Sequence, residues 1–305
     1  MTDASAALPA RQLLLERILA EIRPRLHRYA ARMTGSAVDG DDVVQEAVMK
    51  ALDSPPDIDN FSVLERWLIR VIHNTAIDFV RRRAREDERH ADEELDMIID
   101  HFTRVDTFDA ALVGFRLFVL LPPLQRSTVI FKDVLGYSLD EVSNFTDSTV
   151  PAVKSALQRG RARLKELAST PDDAPAPLLN AHERRLLTAY ASHFNARNFD
   201  AVRDMLAEEV KLNLVNRMQV NGKVRVSNYF ENYNRLSGWK LGLGLVDRNP
   251  ALLAFDPDEP DGAPLYFVVI EWNGSDVSAI RDFRYARYVL EGAQIVVLDR
   301  LQVAA

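Results

Sequence analysis

The side chains best suited to chemistry in this sequence are basic and amide groups that recur at helical spacing. The first set comprises Arg66, Arg70, Asn74, Asp78 and Arg82 at four-residue intervals, extended by Arg81, Arg83 and Arg85. Side chains four residues apart share one face of a helix. Guanidinium and amide groups on a rigid helix suit phosphates and base edges. A solvated helix with a basic last turn is the alternative that this segment leaves open.

A second basic set follows about seventy residues later. It comprises Lys154, Gln158, Arg161 and Lys165, with Ser155 and Arg159 beside them. A third candidate is one carboxylate, Asp282, on the same face of a strand as Ile280 and Arg284. In an apolar pocket it would suit a general base, whereas a salt bridge to Arg281 or Arg284 is the structural alternative. Because a buried carboxylate is more often structural, we predict no enzyme and keep Asp282 as a pocket candidate only.

The first set requires a helix from Trp67 to Arg85, whose opposite face carries the apolar stripe of a core-packed helix. This stripe comprises Leu64, Trp67, Leu68, Val71, Ile72, Thr75 and Phe79. Before it, Pro55 and Pro56 predict a loop that delivers Asn60, Phe61 and Ser62 to the helix start. An exposed aromatic and an amide there suit an unstacked base. Phe61 packed on the helix start as a staple is the alternative.

The second set requires a helix-turn-helix. Ser138 and Glu141 form a capping box for a short helix that ends near Phe145, and residues 146–149 make a tight turn. The next helix, Val150–Leu167, tolerates Pro151 in its first turn and buries a stripe that includes Gly160. Upstream we expect a helix ending near Leu121 and another that starts at the following prolines. Two basic helices in one chain are more specific for DNA than either one.

Charge is distributed in blocks. The chain has 305 residues and a net charge of −7, which alone argues against a nucleic-acid binder. Residues 66–85 nevertheless hold six arginines and one acid, whereas residues 86–109 hold ten acids and two arginines. There is no cysteine, the histidines have no metal-ligand spacing, and we see no secretion signal or membrane span. We therefore predict a cytoplasmic protein without metal or cofactor.

The last third of the chain has a different pattern. After a Pro-rich linker we expect two helices, Arg184–Asn195 and Asp200–Glu208, and then a run of antiparallel strands, which is an α+β fold. The domain boundaries that follow are 12–85 and 111–168 for two helical domains, with an acidic linker at 86–110. The Pro-rich linker covers 169–181, and the α+β domain covers 182–305.

Three motifs in order resemble the extracytoplasmic-function (ECF) sigma factors of the sigma-70 family. DDVVQEAVMKAL from Asp41 resembles the helix that docks on core RNA polymerase, WLIRVIHNTAIDFVRRRAR resembles the promoter-opening helix, and residues 121–164 resemble the family's fourth-region helix-turn-helix. The motifs cover roughly residues 14–167. The segments LLTAYASHFNARNFDAVRDMLAEEVKL and VSAIRDFRYARYVL resemble SnoaL-like domains, which are α+β cones with a pocket.

The resemblance implies a role for each matching position. It implies polymerase contacts by Asp42, Gln45 and Glu46. It implies minus-ten contacts by Asn60, Phe61, Ser62, Asn74, Asp78, Arg81, Arg82 and Arg83. It implies minus-thirty-five contacts by Ala152, Lys154, Ser155, Gln158 and Arg159. Asp147 stands where the turn usually has glycine, and Ala152 stands where threonine is common, which puts the turn geometry in question.

We therefore predict a multidomain protein: two all-α domains, the second a helix-turn-helix, followed by a SnoaL-like α+β cone. It would direct core RNA polymerase to promoter DNA under the control of its own C-terminal domain, through an intramolecular contact and with a small-molecule ligand as a possible signal. Two alternatives remain. One is a helix-turn-helix regulator with a ligand-sensing domain, and the other is a SnoaL-type isomerase or cyclase with a helical adaptor.

Overall fold

The chain divides into two compact units, residues 1–173 and 174–305. The structure, a computed structural model, describes residues 4–54, 56, 60–88, 110–169, 179–234, 238–259 and 261–300. Most of the predicted acidic linker (89–109) and most of the predicted Pro-rich linker (170–178) lie outside the described residues. Each unit is described by itself.

Unit 1 is built from helices. Their bounds are α1 Ala4–Thr34, α2 Ala37–Asp53, α3 Phe61–Glu88, α4 Phe115–Phe118, α5 Pro123–Val129, α6 Leu139–Phe145 and α7 Val150–Ser169. A single 3₁₀ turn covers Ala110–Leu112, and a π turn at Ile130–Val134 extends α5. α1 runs without a break through Pro24.

The first three helices pack closely. Ser36 caps α2 by accepting a hydrogen bond from the backbone N–H of Asp39. A Cβ added at Gly40 would lie 2.6 Å from the backbone nitrogen of Ala31, so only glycine allows α1 and α2 to approach this closely. α3 buries Leu64 and Leu68 against the same core.

The expected helix ending near Leu121 is instead a 3₁₀ turn followed by the four residues of α4. Gly114 precedes α4, and Pro122 follows four residues after its end. Both residues disfavour a continuous helix, because glycine is flexible and the residue before a proline avoids helical angles. Pro122 then occupies the N-cap of α5, with Pro123 in its first turn.

The helix-turn-helix forms as predicted. The Ser138 hydroxyl accepts from the backbone N–H of Glu141, and the Glu141 carboxylate accepts from the backbone N–H of Ser138 at 2.8 Å. Asp147 has a φ of 48°, the left-handed conformation that aspartate adopts more readily than most residues. The turn therefore keeps its geometry without the usual glycine.

One hydrophobic core runs through all of unit 1. Phe131, in the π turn, stacks on Tyr29 of α1 with ring centroids 4.4 Å apart. The Tyr29 hydroxyl and His73 Nδ1 of α3 are 2.6 Å apart, in a buried hydrogen bond. Arg126 of α5 donates to the backbone oxygen of Met33 at 2.6 Å and to that of Leu121 at 3.0 Å. The two helical domains are therefore packed together.

Unit 2 is an α+β fold. Its helices are α8 Ala181–Asn195, α9 Phe199–Asp204 and α10 Lys223–Asn234. Its strands are β1 Leu206–Leu214, β2 Met218–Asn221, β3 Lys240–Val246, β4 Asn249–Phe255, β5 Tyr266–Asn273, β6 Asp276–Asp282 and β7 Ile295–Asp299. They form one seven-stranded sheet in the order β2-β1-β6-β5-β4-β3-β7.

Three details of unit 2 differ from the expectation. The sheet is mixed, because β1 and β6 pair in parallel while the other pairs are antiparallel. The second helix ends at Asp204, because the chain turns at Met205 and enters β1. Neither β2 nor α10 was predicted from the sequence.

No helix in the described part of the chain is both long enough and apolar enough to cross a membrane.

Candidate nucleic-acid interface

α3 presents the first basic set on its exposed side. Ile72 and Ala76 are fully buried, whereas the polar side chains at the opposite positions are exposed. The exposed set comprises Arg66, Arg70, Asn74, Asp78, Arg81, Arg82, Arg83 and Arg85. The predicted amphipathic helix is therefore present, and it begins six residues earlier than the predicted Trp67.

The segment predicted to be a loop before α3 ends at Asn60. The Asn60 side-chain oxygen accepts a hydrogen bond from the backbone N–H of Val63 at 3.2 Å. The Asn60 backbone oxygen accepts one from the backbone N–H of Leu64 at 2.9 Å. Asn60 thus caps the helix, and its amide group remains at the surface. Phe61 and Ser62 lie in the first turn, and the Phe61 ring is 39% exposed, so it is not buried as a staple.

Three arginines of α3 form ion pairs with acids from other elements. Arg82 contacts Glu46 of α2 at 2.9 Å, and Arg83 contacts Asp39 of α2 at 2.5 Å. Arg70 contacts Asp147, in the turn of the helix-turn-helix, at 2.5 Å. Part of the positive charge of this helix is therefore neutralised within the protein.

The three residues predicted to contact polymerase lie together on α2. Asp42, Gln45 and Glu46 are each half-buried. Glu46 also accepts from Lys50 at 2.8 Å. Burial tends to raise the pKa of Glu46, but hydrogen bonds from Lys50 and Arg82 outweigh it and hold the pKa below its ordinary value.

Asp41, the first residue of the motif that resembles the polymerase-docking helix, is buried. It is 1% exposed, and its carboxylate lies 3.4 Å from Arg23 of α1. A cation on the neighbouring helix makes burial of this carboxylate tolerable. Asp41 is therefore not part of the exposed acidic surface of α2.

α7 presents the second basic set. Ala152, Lys154, Ser155, Gln158 and Arg159 are all exposed. Arg159 donates a hydrogen bond to the Ser155 hydroxyl, one helical turn earlier, at 3.0 Å. The face is thus continuous and accessible along the first ten residues of the helix.

The other side of α7 fixes its position. A Cβ added at Gly160 would lie 2.8 Å from Val129 Cγ2 and 3.1 Å from the Gln125 backbone oxygen, so glycine permits close contact with α5. Arg161, which the sequence placed with the basic face, instead forms two hydrogen bonds with Asp133, at 2.8 and 2.5 Å. It anchors the helix and does not extend the exposed face.

Asp282, the candidate pocket carboxylate, is fully buried at the end of β6. Its donors are the hydroxyls of Tyr229 and Tyr233, each at 2.6 Å, and the backbone N–H of Arg284 at 2.8 Å. Burial raises the pKa of this carboxyl. Both tyrosines belong to α10, which the sequence reading missed, although Val226, Tyr229, Phe230 and Tyr233 have helical spacing.

No group of three or more potential metal ligands occurs among the residues that the structure describes.

The geometry of unit 1 defines a class of protein. One helical unit carries two exposed basic helix faces, and one of these belongs to a helix-turn-helix. That combination belongs to proteins that contact DNA at two points.

Comparison with known proteins gives the family. The family models "Sigma-70 region 2" and "Sigma-70, region 4" match residues 18–86 and 116–164. The ECF RNA polymerase sigma factor SigM of Mycobacterium tuberculosis is 29% identical over 143 residues, which are 47% of this chain and 71% of that protein. The RNA polymerase sigma-E factor of Streptomyces avermitilis is 30% identical over 165 residues, 54% of this chain and 89% of that protein.

Among solved structures, the extracytoplasmic function sigma factor SigJ of Mycobacterium tuberculosis is 18% identical, with a TM-score of 0.34. The match covers 86% of this chain and 93% of that chain.

The chain belongs to the sigma-70 family of RNA polymerase sigma factors, and ECF sigma factors are among its relatives. Its function is that of a transcription initiation factor. The predicted sigma factor family, the fold class of helical domains followed by an α+β domain, and the function in transcription initiation are thereby confirmed. Regulation by the C-terminal domain stays a prediction.

Proposed function

We propose that this protein binds core RNA polymerase and directs it to a promoter through two helix faces, α3 at the minus-ten element and α7 at the minus-thirty-five element. The observation that supports this most directly is the pair of exposed basic faces in one helical unit. No chemistry of its own is required, and we expect no enzymatic turnover. Because polymerase and promoter DNA are in the bacterial cytoplasm, we expect the protein there.

In this proposal each surface has one task. The α2 surface of Asp42, Gln45 and Glu46 contacts polymerase. The start of α3 (Asn60, Phe61, Ser62) and its polar ridge (Asn74, Asp78, Arg81, Arg82, Arg83) contact the minus-ten element. The α7 face (Ala152, Lys154, Ser155, Gln158, Arg159) reads the minus-thirty-five element.

The ion pairs of α3 suit a factor that binds DNA only after polymerase has placed it there. With a net charge of −7 and three ridge arginines already paired, long-range attraction to DNA is weak. Exposed ion pairs contribute only about 0–1 kcal/mol each. Phosphates held close by polymerase would therefore displace the acids at small cost.

The test is transcription in vitro with the full chain, core polymerase and a promoter selected from a random library. Transcription that requires both polymerase and this chain supports the proposal. If the chain binds DNA but never associates with core polymerase, it is a helix-turn-helix regulator of another kind. If a SnoaL-type substrate is converted and Asp282→Asn abolishes that conversion, the expectation of no turnover is wrong.

We also propose that the SnoaL-like domain regulates the factor by intramolecular contact with the sigma domains. The short linker predicted at 169–181 supports this, because a short tether gives a high effective concentration for docking. The experiment compares transcription by the full chain and by a chain truncated near Thr170. Higher activity of the truncated chain means inhibition by the domain, lower activity means activation, and equal activity contradicts regulation.

A further inference from the structure

Three buried side chains meet where the two helical domains of unit 1 pack together. His73 of α3 and Tyr29 of α1 come from the first domain, and Phe131 of the π turn comes from the second. The Tyr29 hydroxyl and His73 Nδ1 are 2.6 Å apart. The Phe131 ring stacks on Tyr29, and its centroid lies 5.8 Å from that of the His73 ring. We call these three residues the junction cluster.

Two further contacts between these domains join arginines to backbone oxygens. Arg32 donates to the backbone oxygen of Ala111 at 2.8 Å, and Arg126 donates to that of Met33 at 2.6 Å. Burial lowers the pKa of Arg126 to about 10, so its guanidinium is still charged at pH 7 and below. These contacts therefore do not titrate near neutral pH, whereas the junction cluster contains a histidine, the side chain that does.

The packed arrangement of the domains favours a neutral His73. The charged groups that face it among the described residues are Arg70, on its own helix, and Asp147, in the turn of the helix-turn-helix. These two pair with each other at 2.5 Å. Tyr29 supplies no charge, because burial raises the pKa of its hydroxyl well above the ordinary value. Burial, opposed by Asp147 and assisted by Arg70, lowers the pKa of His73 from 6.5 to about 4.

The proposed promoter contacts require the two helical domains to separate. Elements at minus ten and minus thirty-five lie about 25 base pairs apart, which is about 85 Å of B-DNA. In the packed arrangement Asp147 contacts Arg70 of α3, and α7 begins three residues after Asp147, at Val150. α7 has 20 residues and is therefore about 30 Å long. Its proposed reading face thus lies too close to the ridge of α3 for both elements to be contacted at once.

We propose that His73 makes the packing of the two helical domains sensitive to acid, because a proton on its imidazole favours the separated arrangement. Separation removes Phe131 from one side of the His73 ring and lets water reach it. The contribution of neutral His73 to the packed arrangement is fully present above pH 6.5. It is lost as the pH falls from 6.5 to about 4, because over that range only the separated arrangement takes up the proton. That acid would thereby release both DNA-contacting faces rests on the proposed function.

The first test measures separation in the full chain, without DNA or polymerase. The chain has no cysteine of its own, so dyes on Met49→Cys of α2 and Ala168→Cys of α7 report one distance by single-molecule FRET. We expect the ratio of separated to packed molecules to rise about thirtyfold from pH 7.5 to pH 5.0, beginning near pH 6.5. Circular dichroism checks that the helices stay folded. No separated molecules at any pH, or a rise confined to the range below pH 5 where carboxylates titrate, overturns the proposal.

The second test assigns the effect to His73. His73→Gln keeps an amide that can accept from Tyr29 and does not titrate, so we expect its ratio to change less than about twofold over the same pH range. His27→Gln is the matched control, because His27 is also buried but contacts the backbone oxygen of Ala37 within the first domain. The thirtyfold rise should remain in that control. An equal rise in His73→Gln, or loss of the rise in His27→Gln alone, contradicts the proposal.

Both tests remain decisive if one part fails. If His73→Gln does not fold, the pH at which the rise begins in the unchanged His73 chain still distinguishes a histidine from carboxylates. Because neither test uses DNA or polymerase, a negative result leaves the proposed promoter contacts standing. Conversely, an acid-dependent separation without any polymerase-dependent transcription would contradict the proposed function and not the role of His73.

Discussion

α3 and α7 both present basic faces, but their arginines and lysines have different partners. On α3, Arg70, Arg82 and Arg83 are each paired with an acid from another element. On the proposed reading face of α7, Lys154 has no ion-pair partner among the described residues. Within the same residues, the Arg159 side chain hydrogen-bonds only to Ser155. In the proposed promoter complex, α7 would bind DNA without losing an ion pair, whereas α3 would exchange its protein partners for DNA.

The exchange on α3 involves residues with a second proposed task. Glu46 pairs with Arg82 and is also a predicted polymerase contact. Asp147 pairs with Arg70 and also shapes the turn of the helix-turn-helix. Polymerase binding at Glu46 would therefore release Arg82, which would couple polymerase binding to exposure of the minus-ten helix.

The largest expected effect is on the unpaired face of α7. Changing Lys154 and Arg159 to alanine together removes two proposed DNA contacts, which we expect to contribute about 1–3 kcal/mol in total. We expect transcription from the selected promoter to fall roughly tenfold to hundredfold, with binding to core polymerase unchanged. Arg163→Ala is the matched control, because Arg163 lies on the same helix and pairs with Glu166. A similar loss in that variant would mean that charge, and not this face, is what matters.

The next effect tests how firmly α7 is held. Gly160→Ala gains helix propensity of up to about 1 kcal/mol but forces a methyl group against Val129 and the Gln125 backbone oxygen. We expect a net destabilisation of about 1–2 kcal/mol, measured as a lower melting temperature by circular dichroism. Gly114→Ala is the control, since nothing lies within 4 Å of its added Cβ. An unchanged melting temperature for Gly160→Ala would show that α5 and α7 can separate freely.

The difference between α3 and α7 in their ion-pair partners could be predicted only in part from the sequence. The capping box at Ser138, the turn at Asp147 and the stripe of α7 depend on neighbours within a few residues, so their spacing predicts them. The pairing of Arg70 with Asp147 joins positions 77 apart, and no local pattern encodes it. The roles of the DNA and polymerase residues stay predictions.

Unit 2 shows the same limit. α10 has apolar residues at helical spacing, but its aromatic and β-branched residues have only moderate helix propensity. Its packing against β1 and its position after Gly222, where φ is 88°, are tertiary features. Because α10 was not predicted, Tyr229 and Tyr233 were not predicted as the partners of Asp282.

A smaller effect is expected when the ion pair between Arg70 of α3 and Asp147 is removed. Asp147→Asn removes the charge that holds Arg70 and keeps a residue that tolerates the left-handed conformation. We expect opening of the minus-ten element to increase about twofold to fivefold, because an exposed ion pair contributes under about 1 kcal/mol. The measurement is permanganate footprinting with polymerase present. The control is Asp140→Asn, which removes one negative charge from an exposed position on α6. Equal stimulation by both variants would contradict a specific role for the ion pair between Arg70 and Asp147.

The smallest effect is the pH dependence of the pair between Glu46 and Arg82. The pKa of Glu46 is lowered in the folded protein, so its contribution to stability is fully present above the ordinary value of 4.5 and is lost as the pH falls through the folded pKa. We expect Glu46→Gln to lower the free energy of unfolding in urea by under about 1 kcal/mol at pH 7, and to have no effect once the pH is well below the folded pKa of Glu46. A double-mutant cycle with Arg82→Gln isolates the pair. If the coupling persisted at low pH, the carboxylate would not be its source, and α3 would be held by packing instead of charge.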